Sequence, residues 1–194
     1  LSPGQQFVKI VQQELEATMG EANEGLTLKS SPSVVLMAGL QGAGKTTSMR
    51  MLSGLSPANS GSINVAGIDV VKDNRAVREV MGVVTQHDGL DNGLTVFQNL
   101  FLHGFLAGLS RKDSKNRAND VLEFFGLRDR SKDNTYELSG GMKRRLAIAR
   151  SMMTSPKVIV MDEPSTGLDP QSRNRVWEEL TVLKDAGVTG LLST

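Results

Sequence analysis

The chain has 194 residues and carries 22 Lys plus Arg against 21 Asp plus Glu, a formal charge of +1; it has no bulk attraction for nucleic acid or an anionic membrane, and any charge-based chemistry must be local. At 39% hydrophobic and 22% charged residues the composition is that of a globular protein of one domain with a core. One Trp and one Tyr leave few platforms for stacking bases, and the lack of Cys removes disulfides, thiolate metal sites and thiol catalysis, in keeping with a reducing compartment.

Phe7, Ile10, Val11, Leu15 and Met19 recur at helical spacing and predict an amphipathic helix. Ser2 caps it, Pro3 suits its first position, Gln5 completes a capping box and Gly20 stops it. A polar connector, Glu21 to Ser33, leads to Val34-Val35-Leu36-Met37-Ala38, an apolar run of the kind found in a buried parallel strand. Gly-rich sequence and a helix from Lys45 to about Leu52 follow. Gly61 to Val70 reads as strand, turn and strand about Gly67, and Val80 to Thr85 as a strand ending at Gln86. From Thr95 to about Asp133 the pattern is helical and charge-rich after Arg111. It interrupts the strand-helix alternation as an inserted helical subdomain would. Alternation resumes with a helix at Gly141 to Thr154, a strand at Lys157 to Met161, a helix at Gln171 to Lys184 and a strand at Val188 to Leu192.

No signal peptide is recognisable, and the longest uncharged stretch, Asn92 to Ser110, is too polar for a bilayer helix. Because the chain opens on Leu1 and stops within a strand-like run, it reads as a fragment.

Gly39-Leu40-Gln41-Gly42-Ala43-Gly44-Lys45-Thr46 fits the P-loop pattern and sits between an apolar strand and a helix, as that motif requires. Its glycines let successive N–H groups turn toward phosphate oxygens, and the helix behind adds its positive end. Gly39, Gln41, Gly42, Ala43, Gly44, Lys45, Thr46 and Thr47 are therefore the expected nucleotide-binding set. Lys45 reaches the β- and γ-phosphates and the Thr46 hydroxyl ligates Mg²⁺. The strand Val158-Ile159-Val160-Met161 delivers Asp162 as the metal-side acid and Glu163, facing the other way, as a group that polarises the attacking water.

Leu138-Ser139-Gly140-Gly141-Met142 before a helix, followed by Met161-Asp162-Glu163-Pro164-Ser165-Thr166-Gly167-Leu168-Asp169-Pro170, resembles the ABC transporter ATPases. The likeness runs from about Gly42 to Thr194 and looks closest to the ATPase subunits of bacterial ABC-2 type exporters. It implies an α/β P-loop NTPase fold with a mainly parallel sheet, a helical subdomain at about 95–137, ATP and Mg²⁺ as cofactors, and hydrolysis. It implies that Ser139, Gly140 and Gly141 form a signature loop acting in trans. Gln86 becomes the Q-loop residue, touching Mg²⁺ and the water, and Asp169 the D-loop acid at a dimer interface. The implied partners are a second copy, head to tail, and an integral membrane permease docked on the apolar face between Leu94 and Leu109. The implied location is the cytoplasmic side of the cell membrane, with no nucleic acid bound. Met142 departs from the Gln many relatives carry. His87 and His103 read as bystanders, and Lys143, Arg144 and Arg145 as a solvated face.

The opening departs from that family: it lacks the antiparallel strands and adenine-stacking aromatic expected there. Leu1 to Thr47, with Gly39-Leu40-Gln41 in place of Gly-Pro-Asn, is similar instead to the signal recognition particle GTPases. The two likenesses meet on Gly42 to Thr47, as at a junction between two coding sequences. The division expected is then 1–33, a GTPase-like helix and connector, and 34–194, an incomplete ABC-type domain. Without the adenine stack, and without the switch histidine that follows the last strand in the family, weak ATP binding and little turnover are expected. A targeting GTPase and a non-catalytic nucleotide-binding module are the alternatives.

Overall fold

The chain divides between Ser30 and Ser31 into two units, and a computed structural model describes residues 33–39, 44–86 and 88–194, all in the second. The expected N-terminal helix and most of its connector, the P-loop residues Gln41, Gly42 and Ala43, and His87 lie outside the described residues.

Among the described residues, four short apolar runs form one parallel sheet in the order β1-β6-β5-β4: β1 Val34–Met37, β4 Met81–Val84, β5 Val158–Met161 and β6 Thr189–Ser193. Their alternation sorts the core. Met81, Val83, Val158, Val160 and Leu191 join one apolar cluster, whereas Val84, Ile159, Met161 and Leu192 join another on the opposite face.

The first face is covered by helix α1 (Lys45–Leu52), a hairpin of β2 (Asn64–Val65) and β3 (Ile68–Asp69), and helix α2 (Asn74–Val80). Ala66 and Gly67 both have positive φ, 51° and 86°, as a tight two-residue hairpin turn demands. The sequence reading missed α2. It is seven residues long and buries only Val77, too little for a period to register, although Asp73 caps it by accepting from the Ala76 N–H at 2.9 Å.

The second face carries helices α3 (Val96–Leu106), α4 (Arg111–Phe124), α5 (Gly140–Ser151) and α6 (Pro170–Asp185). Helices α3 and α4 lie in the stretch expected to be an inserted helical subdomain. Thr95 and Gln98 close a complete capping box on α3. Gly82 admits the end of α5, because a Cβ there would stand 2.8 Å from the Ser151 carbonyl oxygen. No described helix is long and apolar enough to cross a membrane.

Candidate nucleotide site

Parallel register assembles the site. Val84 pairs with Met161 and Met161 with Leu192, while Met37 pairs with Ser193. The residues just past these pairs, Gln86, Asp162, Glu163 and Thr194, therefore emerge at one edge of the sheet beside Gly39, where parallel sheets place ligands.

There the Thr46 hydroxyl donates to Asp162 Oδ2 at 2.9 Å, and Ser193 Oγ donates to Asp162 Oδ1 at 2.5 Å. Ser193 also accepts the Glu163 N–H at 3.0 Å and is fully buried. Its part is invisible until register sets it beside Asp162. Lys45 Nζ donates to the carbonyls of Gly39 and Thr194. Gly44 opens α1 with φ 82°, the left-handed geometry that turns the loop into the helix, and Thr47 is exposed in the first turn of α1. A cavity of about 230 Å³ is lined in part by Thr46, Met49, Thr85, Gln86 and Asp162.

A second cavity of about 320 Å³ shares Gln86 with the first and is lined by Asp88, Gly140, Arg144, Glu163 and Thr166 among others. Across it Gln86 Nε2 stands 3.5 Å from Glu163 Oε2, and Thr166 Oγ1 donates to the same oxygen at 3.0 Å. Ser139 caps α5 by accepting from the Met142 N–H at 3.3 Å. Gly140 is exposed, whereas Gly141 is buried where a Cβ would strike the Ser172 hydroxyl. Asp169 caps α6 through the Ser172 N–H at 2.9 Å, and hydrogen bonds from Ser172 hold its carboxyl below the ordinary carboxylate range. A further cavity, about 490 Å³, lies at the far end of the strands between Arg117, Phe124 and Lys157. It contains none of these groups.

One sequence expectation is corrected here. Arg144 and Arg145 are not a solvated face: Arg144 is 4% exposed, and Arg145 Nε pairs with Glu179 at 2.9 Å. Helical spacing from Gly141 through Arg144 to Ile148 and Ser151 follows the buried stripe of α5, the signal that was available. His103 lies on α3, where burial, then the charge of Arg150, lowers its pKa. Asn99, buried in α3, was also overlooked. It accepts the Asp91 N–H at 2.9 Å and donates to the Asp91 carbonyl at 3.0 Å, tying the loop after Gln86 to the helical part.

Among the described residues no group of three or more His, Cys, Asp or Glu gathers around a metal position. The hydroxyl of Thr46 facing the carboxylate of Asp162, with the Gln86 amide on the same cavity, is nevertheless a hard-oxygen set that suits a nucleotide-bound, largely hydrated Mg²⁺.

The fold is that of a P-loop NTPase, with Asp162 and Glu163 at the end of β5. The family model for ABC transporters matches residues 23–166, and the chain belongs to that family of ATP-binding proteins. It is 42% identical over 163 residues to the linearmycin resistance ATP-binding protein LnrL of Bacillus subtilis, covering 84% of this chain and 52% of the relative. It is 43% identical over 175 residues to the daunorubicin resistance ATP-binding protein DrrA3 of Streptomyces coeruleorubidus, covering 90% and 55%. To the Nod factor export ATP-binding protein I of Paraburkholderia xenovorans it is 41% identical over 172 residues, covering 88% and 57%. The chain thus spans about half the length of these relatives. The solved structure of cbiO1 from Clostridium perfringens, part of the ABC transporter complex cbiONQ, superposes with a TM-score of 0.78 at 26% identity, covering 88% of this chain and 70% of that one. The family match includes Val34 to Thr47 and lends no support to the GTPase likeness of that stretch.

Proposed function

We propose that the protein is the ATP-binding and ATP-hydrolysing subunit of an ABC exporter, in which closure of a head-to-tail dimer on ATP drives an integral membrane permease from the cytoplasmic face. The observation that carries this reading is the meeting of Thr46, Asp162, Gln86 and Glu163 at one sheet edge. The exporter and resistance relatives support the transport part. Leu102, Phe105 and Leu106 on α3 are exposed apolar groups, Leu106 at 75%, and support a docking face for the permease. Residues 34–194 form one ATPase domain in this reading, with the helical insertion at about 95–137.

Lys45 exchanges the Gly39 and Thr194 carbonyls for β- and γ-phosphate oxygens, the exchange that its present contacts prefigure. Thr46 and Gln86 would hold Mg²⁺ directly and Asp162 through water, and the ion neutralises charge on the phosphates when bound. Glu163 orients the attacking water beside the γ-phosphate. Ser139 and the N–H groups opening α5 receive the γ-phosphate of the nucleotide on the second copy, and Asp169 faces that copy.

Binding of fluorescent ATP and GTP analogues tests the reading. ATP preference that Lys45→Ala abolishes is expected, whereas GTP preference would favour the targeting GTPase. Turnover of this chain is expected to be low, and Glu163→Gln to keep ATP-dependent dimerisation while lowering that turnover further, by up to about 10²- to 10⁴-fold. Dimerisation with no turnover in the wild type would leave a non-catalytic nucleotide module. The Gly39-Leu40-Gln41 string also supports a junction between two coding sequences at Gly42 to Thr47. One long sequencing read across the codons for Ala38 to Met51 decides that point.

A further inference from the structure

Arg144 is 4% exposed and lies between the two loops that carry the reacting groups. Its Nη1 donates to the Thr85 carbonyl at 2.7 Å and reaches Asp88 Oδ1 at 3.3 Å. Its Nη2 donates to the Asp162 carbonyl at 2.9 Å and its Nε to the Pro164 carbonyl at 3.0 Å. Thr85 directly precedes Gln86, and Asp162 and Pro164 directly flank Glu163. One guanidinium thus grips the backbone on the near side of Gln86 and on both sides of Glu163.

Glu163 needs that grip. Its φ of 47° is in the left-handed region, unusual for a residue with a Cβ. Such a conformation persists where the surroundings over-determine it, and it tends to mark sites where a side chain must be aimed. Here the surroundings are Ser193 on the Glu163 N–H, Thr166 on its carboxylate, and Arg144 on the carbonyls either side. A lysine could not replace the fork: an ammonium is a point donor, whereas the planar guanidinium serves three carbonyls and a carboxylate in fixed directions.

Arg144 also sits on α5, five residues after Ser139, so the helix that begins at the signature loop holds the acid of its own chain. We propose that Arg144 is a positioning residue that sets the backbone of Glu163 and Gln86, linking the signature helix to the water-orienting pair. This rests on the reading of Glu163 and Gln86 given above.

The test compares wild type, Arg144→Lys and Arg144→Gln by hydrogen exchange of segments 85–90 and 162–168, by ATP affinity and by single-turnover hydrolysis. In a folded variant, exchange in those two segments is expected to rise about tenfold, as loss of one or two hydrogen bonds to a charged donor implies, while α4 and β1 stay unchanged. ATP affinity should stay within a factor of about three and turnover fall at least about tenfold, a change in kcat rather than in binding. On a Glu163→Gln background, Arg144→Lys should cause little further loss. Unchanged exchange in the two segments, an even rise throughout the domain, or failure of both variants to fold would each overturn the proposal. If the wild type hydrolyses nothing, the ATPase reading falls while the exchange measurement still decides the role of Arg144.

Discussion

The two faces of the sheet are built to different depths. Helix α1, which follows the Gly-rich loop, buries one residue in eight, Met49, whereas α5, which follows the proposed signature loop at Ser139, buries seven in twelve. A loop that wraps phosphates must leave its helix near the rim, within reach of solvent and ligand, so little apolar surface remains for α1 to bury. Helix α5 runs under the loops of β4 and β5 and carries their positions inward. The lesson is a gradient: the phosphate side is held by a small cluster around Met49, Val65, Val70 and Val77, and the signature side by the main core. Local opening should therefore begin on the phosphate side.

The sharpest way to break this comparison is to truncate one buried side chain on each face. Leu146→Ala removes a fully buried side chain from the main core and should cost about 3–5 kcal/mol, whereas Met49→Ala at the rim should cost about 2 kcal/mol or less. Denaturant titration at constant slope measures both. Equal losses would mean that the phosphate-side cluster is as well packed as the main core.

The second test lies where α5 meets α6. Glu179 is pushed from its ordinary 4.5 up to about 7 by burial, although Arg145, with Nε at 2.9 Å, and Arg175 pull the other way and Glu178 adds to the rise. Its buried Oε2 has no partner and is the natural seat for a proton. Between these values the folded state holds a proton that the unfolded chain has released. The stabilising contribution is therefore complete below about pH 4.5 and is lost as pH rises to about 7. Glu179→Gln should remove that slope, worth about 3 kcal/mol across the window, and leave a flatter stability profile. An unchanged slope would show that Arg145 keeps Glu179 ionised throughout.

What the sequence disclosed and what it hid follow the same gradient. The placing of Lys45, Thr46, Asp162 and Glu163 at one edge of the sheet was readable because strand, loop and acid are contiguous strings fixed by local order. Strands β4, β5 and β6 were readable within one or two residues from their apolar runs. Ser193 was hidden because its value comes from lying beside Asp162 across β5 and β6, a matter of register. Arg144 was misread because three adjacent basic residues look solvated, while only position in the helical period separates the buried one from its neighbours. Helix α2 was missed because Val77 alone marks its inner side.

The smallest effects sharpen the comparison at the helix starts. Thr95→Ala removes an oxygen that accepts the Gln98 N–H at 3.2 Å, and the box closes in return with Gln98 Oε1 on the Thr95 N–H at 2.9 Å. Asp73→Ala removes a single bond of 2.9 Å to Ala76. Each should cost about 1 kcal/mol of global stability if its helix unfolds with the rest. Helix α2 is short and packs on the thin cluster, so it is expected to open on its own. Thr95→Ala should then lower the denaturation midpoint, while Asp73→Ala chiefly speeds hydrogen exchange over 74–80. Equal midpoint shifts for the two variants would mean that both faces unfold as one unit, and the gradient would be one of packing without a matching gradient of motion.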